Sequence, residues 1–162
     1  MATIHIMHGY IAFGKTTLAR RLANELPAVV LNADDWIKQL YGTTLSESEF
    51  MARADTVLNM QWELTRQIIN AGADVILDIG PWSRDMRKQA YAMARQITPN
   101  IIFHTIILDM ETARNRLIQR NIDNPGHDVT DTDFFDANRD QYEPITPDEG
   151  YTVRQHYPTE NP

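Results

Sequence analysis

Apolar positions recur along this chain with two alternating periods. "ATIHIMH" (residues 2–8) is a short β-rich run, and "KTTLARRLANEL" (15–26) then spaces Leu18, Leu22 and Leu26 four apart, a helical interval that Pro27 ends. "AVVLNA" (28–33) is a second buried strand, followed by a helical stretch from 35 to 41 and a break at Gly42. In "SESEF", Ser46 and Glu49 have capping-box spacing, which predicts a long helix up to Asn70, closed by "NAGA". "DVILDIG" (74–80) is a third strand, Ser83 opens a helix that ends before Pro99, and "IIFHTIIL" (101–108) is a fourth strand. "METARNRLIQRN" (110–121) is helical again. A turn-rich loop, "IDNPGHDVTDTD", precedes a last helix over 131–142, and "YTVRQH" (151–156) suits a fifth strand. Strands alternating with helices predict a parallel sheet covered on both faces, an α/β three-layer sandwich.

Length and composition narrow the class. The chain has 162 residues, which reads as a single domain over 1–156 with a loose tail at 157–162. It contains no cysteine, so disulfides, thiolate metal sites and a thiol nucleophile are excluded. The first apolar run, 4–7, is broken by His5 and too short for a secretory leader, and nothing approaches a membrane span. A cytoplasmic protein with no membrane partner is the expectation. The formal net charge of -7 argues against long DNA or RNA as the ligand. Oligomeric state leaves no trace in the sequence.

The candidate chemistry begins at "HGYIAFGKTTLA" (8–19). Gly9, four residues and then Gly14-Lys15-Thr16 satisfy G-x-x-x-x-G-K-[ST], between a predicted strand and a predicted helix. In that setting the backbone of Gly9, Tyr10, Ile11, Ala12, Phe13, Gly14, Lys15, Thr16 and Thr17 can wrap a phosphate chain at a helix N-terminus. Lys15 would reach the β- and γ-phosphates of ATP or another NTP, and Thr16 would give its hydroxyl to Mg²⁺. Phe13 is bulky for such a loop, and its ring must point away from the phosphates.

Three further groups fall at strand ends or on one helix. Asp34 and Asp35 end the second strand, where ligands collect in open α/β sheets. A carboxylate there can take the proton of an attacking hydroxyl; either can equally cap the "WIKQLY" helix. Asp34 is read as the base and Asp35 as cap or helper. Asp78, at the end of "VILD", suits Mg²⁺ or the acceptor, and Trp82 beyond it suits a pocket floor or the core. Arg116 and Arg120 share a helix face and suit a lid over the transferring phosphate, with Arg114 pointing elsewhere. Arg84, with Arg87 behind it, is a weaker contact for acceptor or phosphate. The acidic stretch 128–149 reads as a solvated face, and the five histidines show no metal-ligand spacing.

With "GYIAFGKTT", "DDW", "VILDIGPW", "RLIQRN" and "YEPITPDEG" in this order, the chain resembles a group of small P-loop kinases. The group gathers zeta-toxin, chloramphenicol phosphotransferase and polynucleotide kinase domains and is broadly described as AAA family ATPases. The resemblance spans about residues 3–150. It implies a P-loop NTPase sheet of order 2-3-1-4-5, nucleoside-kinase-like. It also implies a general base at Asp34, lid arginines at Arg116 and Arg120, and an adenine near residues 142–144. Two positions depart from the pattern. Ala12 stands where the group usually has Gly, and Ile37 stands where the polynucleotide kinases have an arginine.

The reading is therefore a Mg²⁺-dependent phosphotransferase that moves a γ-phosphoryl group to a small-molecule hydroxyl. The alternatives are a kinase of polynucleotide 5′-hydroxyls or nucleotide-sugars, and, in another class, an ATP-binding switch with little or no catalysis.

Overall fold

A computed structural model describes residues 1–42, 45–124 and 131–158. Five parallel strands, β1 (Ile4–His8), β2 (Ala28–Asn32), β3 (Asp74–Asp78), β4 (Ile101–Ile106) and β5 (Val153–His156), lie in the order β2-β3-β1-β4-β5. The helices are α1 (Lys15–Glu25), α2 (Ala33–Tyr41), α3 (Glu47–Asn70), α4 (Arg84–Arg95), α5 (Met110–Asp123) and α6 (Thr132–Asn138). The three-layer α/β sandwich and its strand order are as the sequence and the resemblance implied.

Strand alternation sorts the core onto two faces. Met7, Ile76 and Ile106 pack with Leu18 and Leu22 of α1 and Leu117 of α5. Ile4, Ile6, Leu31, Val75, Leu77 and Phe103 pack with Ala90 and Ala94 of α4 and with Trp62, Leu64 and Ile68 of α3. The inner strands are buried on both faces, which is why they read as unbroken apolar runs. Caps set the helix starts: Ser46 forms the expected capping box on α3, Ser83 accepts from Met86 N, and Asp109 from Thr112 N.

Two expectations change in detail. Neither Asp34 nor Asp35 caps a helix. Asn32 does, accepting from Asp35 N at 2.7 Å, so α2 starts two residues earlier and both aspartates sit in its first turn. The last helix is shorter than 131–142. α6 ends at Asn138 and tightens into a 3-10 turn over Arg139–Gln141. Part of the turn-rich loop, with His127 and Asp128, and the end of the expected tail lie outside the described residues.

The histidines have an arrangement no sequence spacing displays. Asp74, His5, His104 and His156 run diagonally across β3, β1, β4 and β5, each two residues beyond the register partner of the one before. His5 Nδ1 meets His104 Nε2 at 2.9 Å, His104 Nδ1 meets His156 Nε2 at 2.9 Å, and His5 Nε2 lies 3.4 Å from Asp74 Oδ2. Among the described residues no cluster of three or more histidine, cysteine, aspartate or glutamate side chains could hold a metal ion, and no helix is long and apolar enough to cross a membrane.

Candidate active site

The carboxyl ends of β1, β2 and β3 bring the site together. Between β1 and α1 the chain makes the turn the motif predicted. Its backbone is left-handed at Gly14 (φ 96°), and the first turn of α1 has neither a side-chain cap nor an acidic residue. The leading N–H groups of α1 are thus left to an incoming anion.

Within the loop, the bulky residues turn inward. Tyr10 and Phe13 are 0% and 1% exposed and sit in the core. Tyr10 OH donates to Phe135 O of α6 at 2.8 Å, and the Phe13 and Tyr142 rings lie 5.3 Å apart. The Phe13 ring is therefore buried in the core rather than exposed on the loop. A side chain at Gly9 would press on Phe13, with a Cβ only 3.1 Å from its ring. Ala12 adopts φ 59°, the left-handed region, which explains why glycine suits this position. Ala12→Gly is expected to stabilise the fold by about 1 kcal/mol, measured by chemical denaturation. An unchanged or lower stability would show that the loop carries no strain there.

Several of the candidate side chains converge on this loop. Lys15 Nζ donates to Tyr10 O at 2.8 Å and passes close under Gly80, where an added Cβ would come within 3.0 Å of the Lys15 chain. Thr16 Oγ1 donates to Asp78 Oδ2 at 2.6 Å, and Asn32 Nδ2 donates to the same oxygen at 2.6 Å. Asn32 thus caps α2 with one end of its amide and holds Asp78 with the other. Sequence reasoning missed both Asn32 and Gly80. Their signal was only a polar residue ending an apolar strand and a glycine two residues past an aspartate.

Charges interact across the site. The crowded surroundings of Lys15 lower its pKa, against the pull of Asp78 and Asp34, while Arg120 of α5 lowers it further. Asp34 is solvent-exposed on the first turn of α2, yet neighbouring protein partly desolvates it. This desolvation raises its pKa, opposed by Lys15 and aided by Asp78. A carboxylate moved toward neutrality is a better proton acceptor. Lys15, Asp34, Asp78 and Arg120 therefore lie within electrostatic reach of one another, with Arg116 one turn earlier on α5. Arg114 leaves this group to pair with Asp136 on α6.

The other candidates are placed differently. Asp35 faces solvent 3.9 Å from Arg20. The Trp82 ring is half-buried, its centroid 5.1 Å from that of Tyr10. Arg84 pairs with Asp148, and its N–H donates to the Glu143 carboxylate at 2.7 Å, both on the 142–149 segment.

A turn of this kind, at the carboxyl edge of a sheet of this order, defines the P-loop class of α/β proteins. The chain belongs to the AAA domain family, whose model matches residues 4–145. Its fold is similar to that of a candidate kinase from Chloroflexus aurantiacus, at 19% identity and a TM-score of 0.72, over 96% of this chain and 88% of the other. A sugar kinase from Janibacter matches at 18% identity and a TM-score of 0.68, over 97% and 86%. Chaetomium thermophilum Kti12, solved with ADP-AlF3, matches at 17% identity and a TM-score of 0.67, over 98% and 89%. These likenesses establish the P-loop kinase fold. No curated protein sequence matches the chain.

Proposed function

We propose that this protein is a phosphotransferase that moves the γ-phosphoryl group of ATP, or another NTP, to a hydroxyl of a small molecule. The observation that carries the reading is the joining of two half-sites. A phosphate loop with Lys15 stands on one side, Asp34 with its raised pKa on the other, and Asp78 lies between them.

The loop from Gly9 to Thr17 receives the phosphates. Lys15 leaves Tyr10 O to neutralise the β- and γ-oxygens, and Arg116 and Arg120 add positive charge from α5. The acceptor lies against Asp34, Asp78 and Trp82, with Asp35 and Arg84 further out. Asp34 takes the proton of the hydroxyl as its oxygen attacks phosphorus. Thr16 Oγ1 and Asp78 Oδ2 are adjacent hard oxygen donors, a set that fits Mg²⁺ directly or through water. When bound there, Mg²⁺ would neutralise phosphate charge.

A small acceptor is favoured over a polynucleotide end. Ile37, at the position of the polynucleotide kinases' arginine, is 1% exposed and packed among Ala33 and Val57, out of reach of a nucleic acid. The net charge of -7 works in the same direction.

The test offers γ-labelled ATP and Mg²⁺ with sugars, nucleosides, hydroxylated antibiotics and a short 5′-hydroxyl oligonucleotide. A labelled small molecule is the expected product. Transfer to the oligonucleotide instead would overturn the acceptor class. ATP binding with no transfer to any of them would favour the switch reading.

A further inference from the structure

One buried cation lies outside the chemistry just described. Arg87, on the first turn of α4, is 0% exposed, yet its guanidinium reaches three separate parts of the carboxyl edge. Nε and Nη2 donate to the two carboxylate oxygens of Glu149 at 2.9 and 2.8 Å. Nη1 lies 2.7 Å from Glu143 O, 3.2 Å from Trp82 O and 3.2 Å from His8 Nε2. Trp82 belongs to the β3–α4 connection that also holds Gly80, against which Lys15 packs. His8 is the last residue of β1, bonded directly to Gly9 of the phosphate loop.

We infer that Arg87 is a positioning residue for the phosphate loop, setting the root of that loop through His8 and pinning the 142–149 segment over it; this rests on the nucleotide reading above. A guanidinium only donates, so His8 Nε2 accepts and His8 Nδ1–H donates to Thr105 Oγ1, 2.8 Å away on β4. The ring is then held at both nitrogens in one tautomer. Tyr142 stacks on it, with centroids 5.4 Å apart, and also packs on Phe13. The chain from Arg87 through His8 and Tyr142 thus touches the loop at its first residue and its fifth. Arg87 and Lys15 oppose a charge on His8, whereas Glu149 and the Glu143 backbone favour one. Burial is the largest influence and keeps the ring neutral.

The ion pair with Glu149 and the contact with His8 are separable. Glu149→Gln leaves Arg87 facing His8, Trp82 O and Glu143 O, but without its counter-charge. Arg87→Met combined with Glu149→Gln removes both charges, and the amide oxygen that replaces the carboxylate can still cap the 3-10 turn at Thr146 N. Replacing a buried pair by uncharged groups of similar size spares stability better than breaking it.

The experiment measures the melting temperature and the Kd for MgADP of wild type and both variants. It also reads the ¹⁵N signals of the His8 ring, which report its tautomer. Glu149→Gln is expected to melt lower and to bind MgADP within about twofold of wild type. The double variant is expected to melt higher than Glu149→Gln, yet to bind MgADP about tenfold or more weakly, with the single His8 tautomer lost. A purely structural clasp would make affinity follow melting temperature. That result, or a double variant with wild-type affinity, overturns the inference. Absence of MgADP binding by the wild type would instead overturn the nucleotide reading, and this inference with it.

Discussion

Asp34→Asn is expected to lower phosphoryl transfer at least about 100-fold while leaving the Kd for MgATP within a small factor. The carboxylate is in the first turn of α2 but is not its cap, since Asn32 fills that role, so an amide there leaves the helix intact. What it loses is the ability to take a proton. Asp35→Asn is the control: its carboxylate faces solvent 3.9 Å from Arg20, and its loss is expected to change transfer little. Lys15→Ala completes the set and is expected to weaken both binding and transfer, because the proposed mechanism gives Lys15 the phosphates rather than the acceptor. Single-turnover transfer and nucleotide titration distinguish the three patterns. An inactive Asp35→Asn beside an active Asp34→Asn would move the base to Asp35. Undiminished transfer by Lys15→Ala would remove the phosphate loop from the mechanism.

Acid destabilisation is the second large effect expected. All four described histidines have pKa values below the ordinary 6.5: His8 and His104 fall to about 3, and His5 and His156 are lowered too. Burial is the leading cause in each case. The folded state therefore holds these rings neutral, while the unfolded chain protonates them below pH 6.5. Their contribution is complete above pH 6.5 and is lost as the pH falls toward the folded values. Each fully buried ring adds up to about 1.4 kcal/mol per pH unit in that range. His8 and His104 together remove roughly 3 kcal/mol between pH 6.5 and 5. Asp34, with a raised pKa, acts in the opposite sense, one group against four. Denaturant unfolding at pH 7.5 and pH 5.0 is expected to show a much lower stability at the acid end, with the slope reduced in His104→Gln. A stability that stays flat over this range would mean that the histidine row is charged or open to water in the folded protein.

Much of the architecture was legible because its signals are local. Strand and helix periods, the Pro27 stop and the Ser46–Glu49 box each lie within a few residues, and so does the phosphate-loop motif. Such patterns act through backbone geometry, which does not depend on distant parts of the chain. The strand order came from the resemblance, not from periodicity. Within the site, Thr16 and Asp78 were visible as candidates one by one. Their 2.6 Å contact, across 62 positions, required the parallel pairing of β1 with β3.

The sequence by itself determined the elements, the all-parallel sheet class, and a P-loop motif with candidate carboxylates after two other strands. Tertiary structure alone decided which polar residues serve which purpose. Asn32 rather than an aspartate caps α2, because strand β2 delivers its amide between Asp35 N and Asp78. Arg84 turns to Asp148, and Arg87 is buried against Glu149 and His8, because the 142–149 segment folds back over α4. The histidine row exists because strand register places residues far apart in the chain on one diagonal of one face. Each of these depends on contacts between distant segments, and a hydrogen bond's partner is fixed only when the chain brings it within about 3 Å.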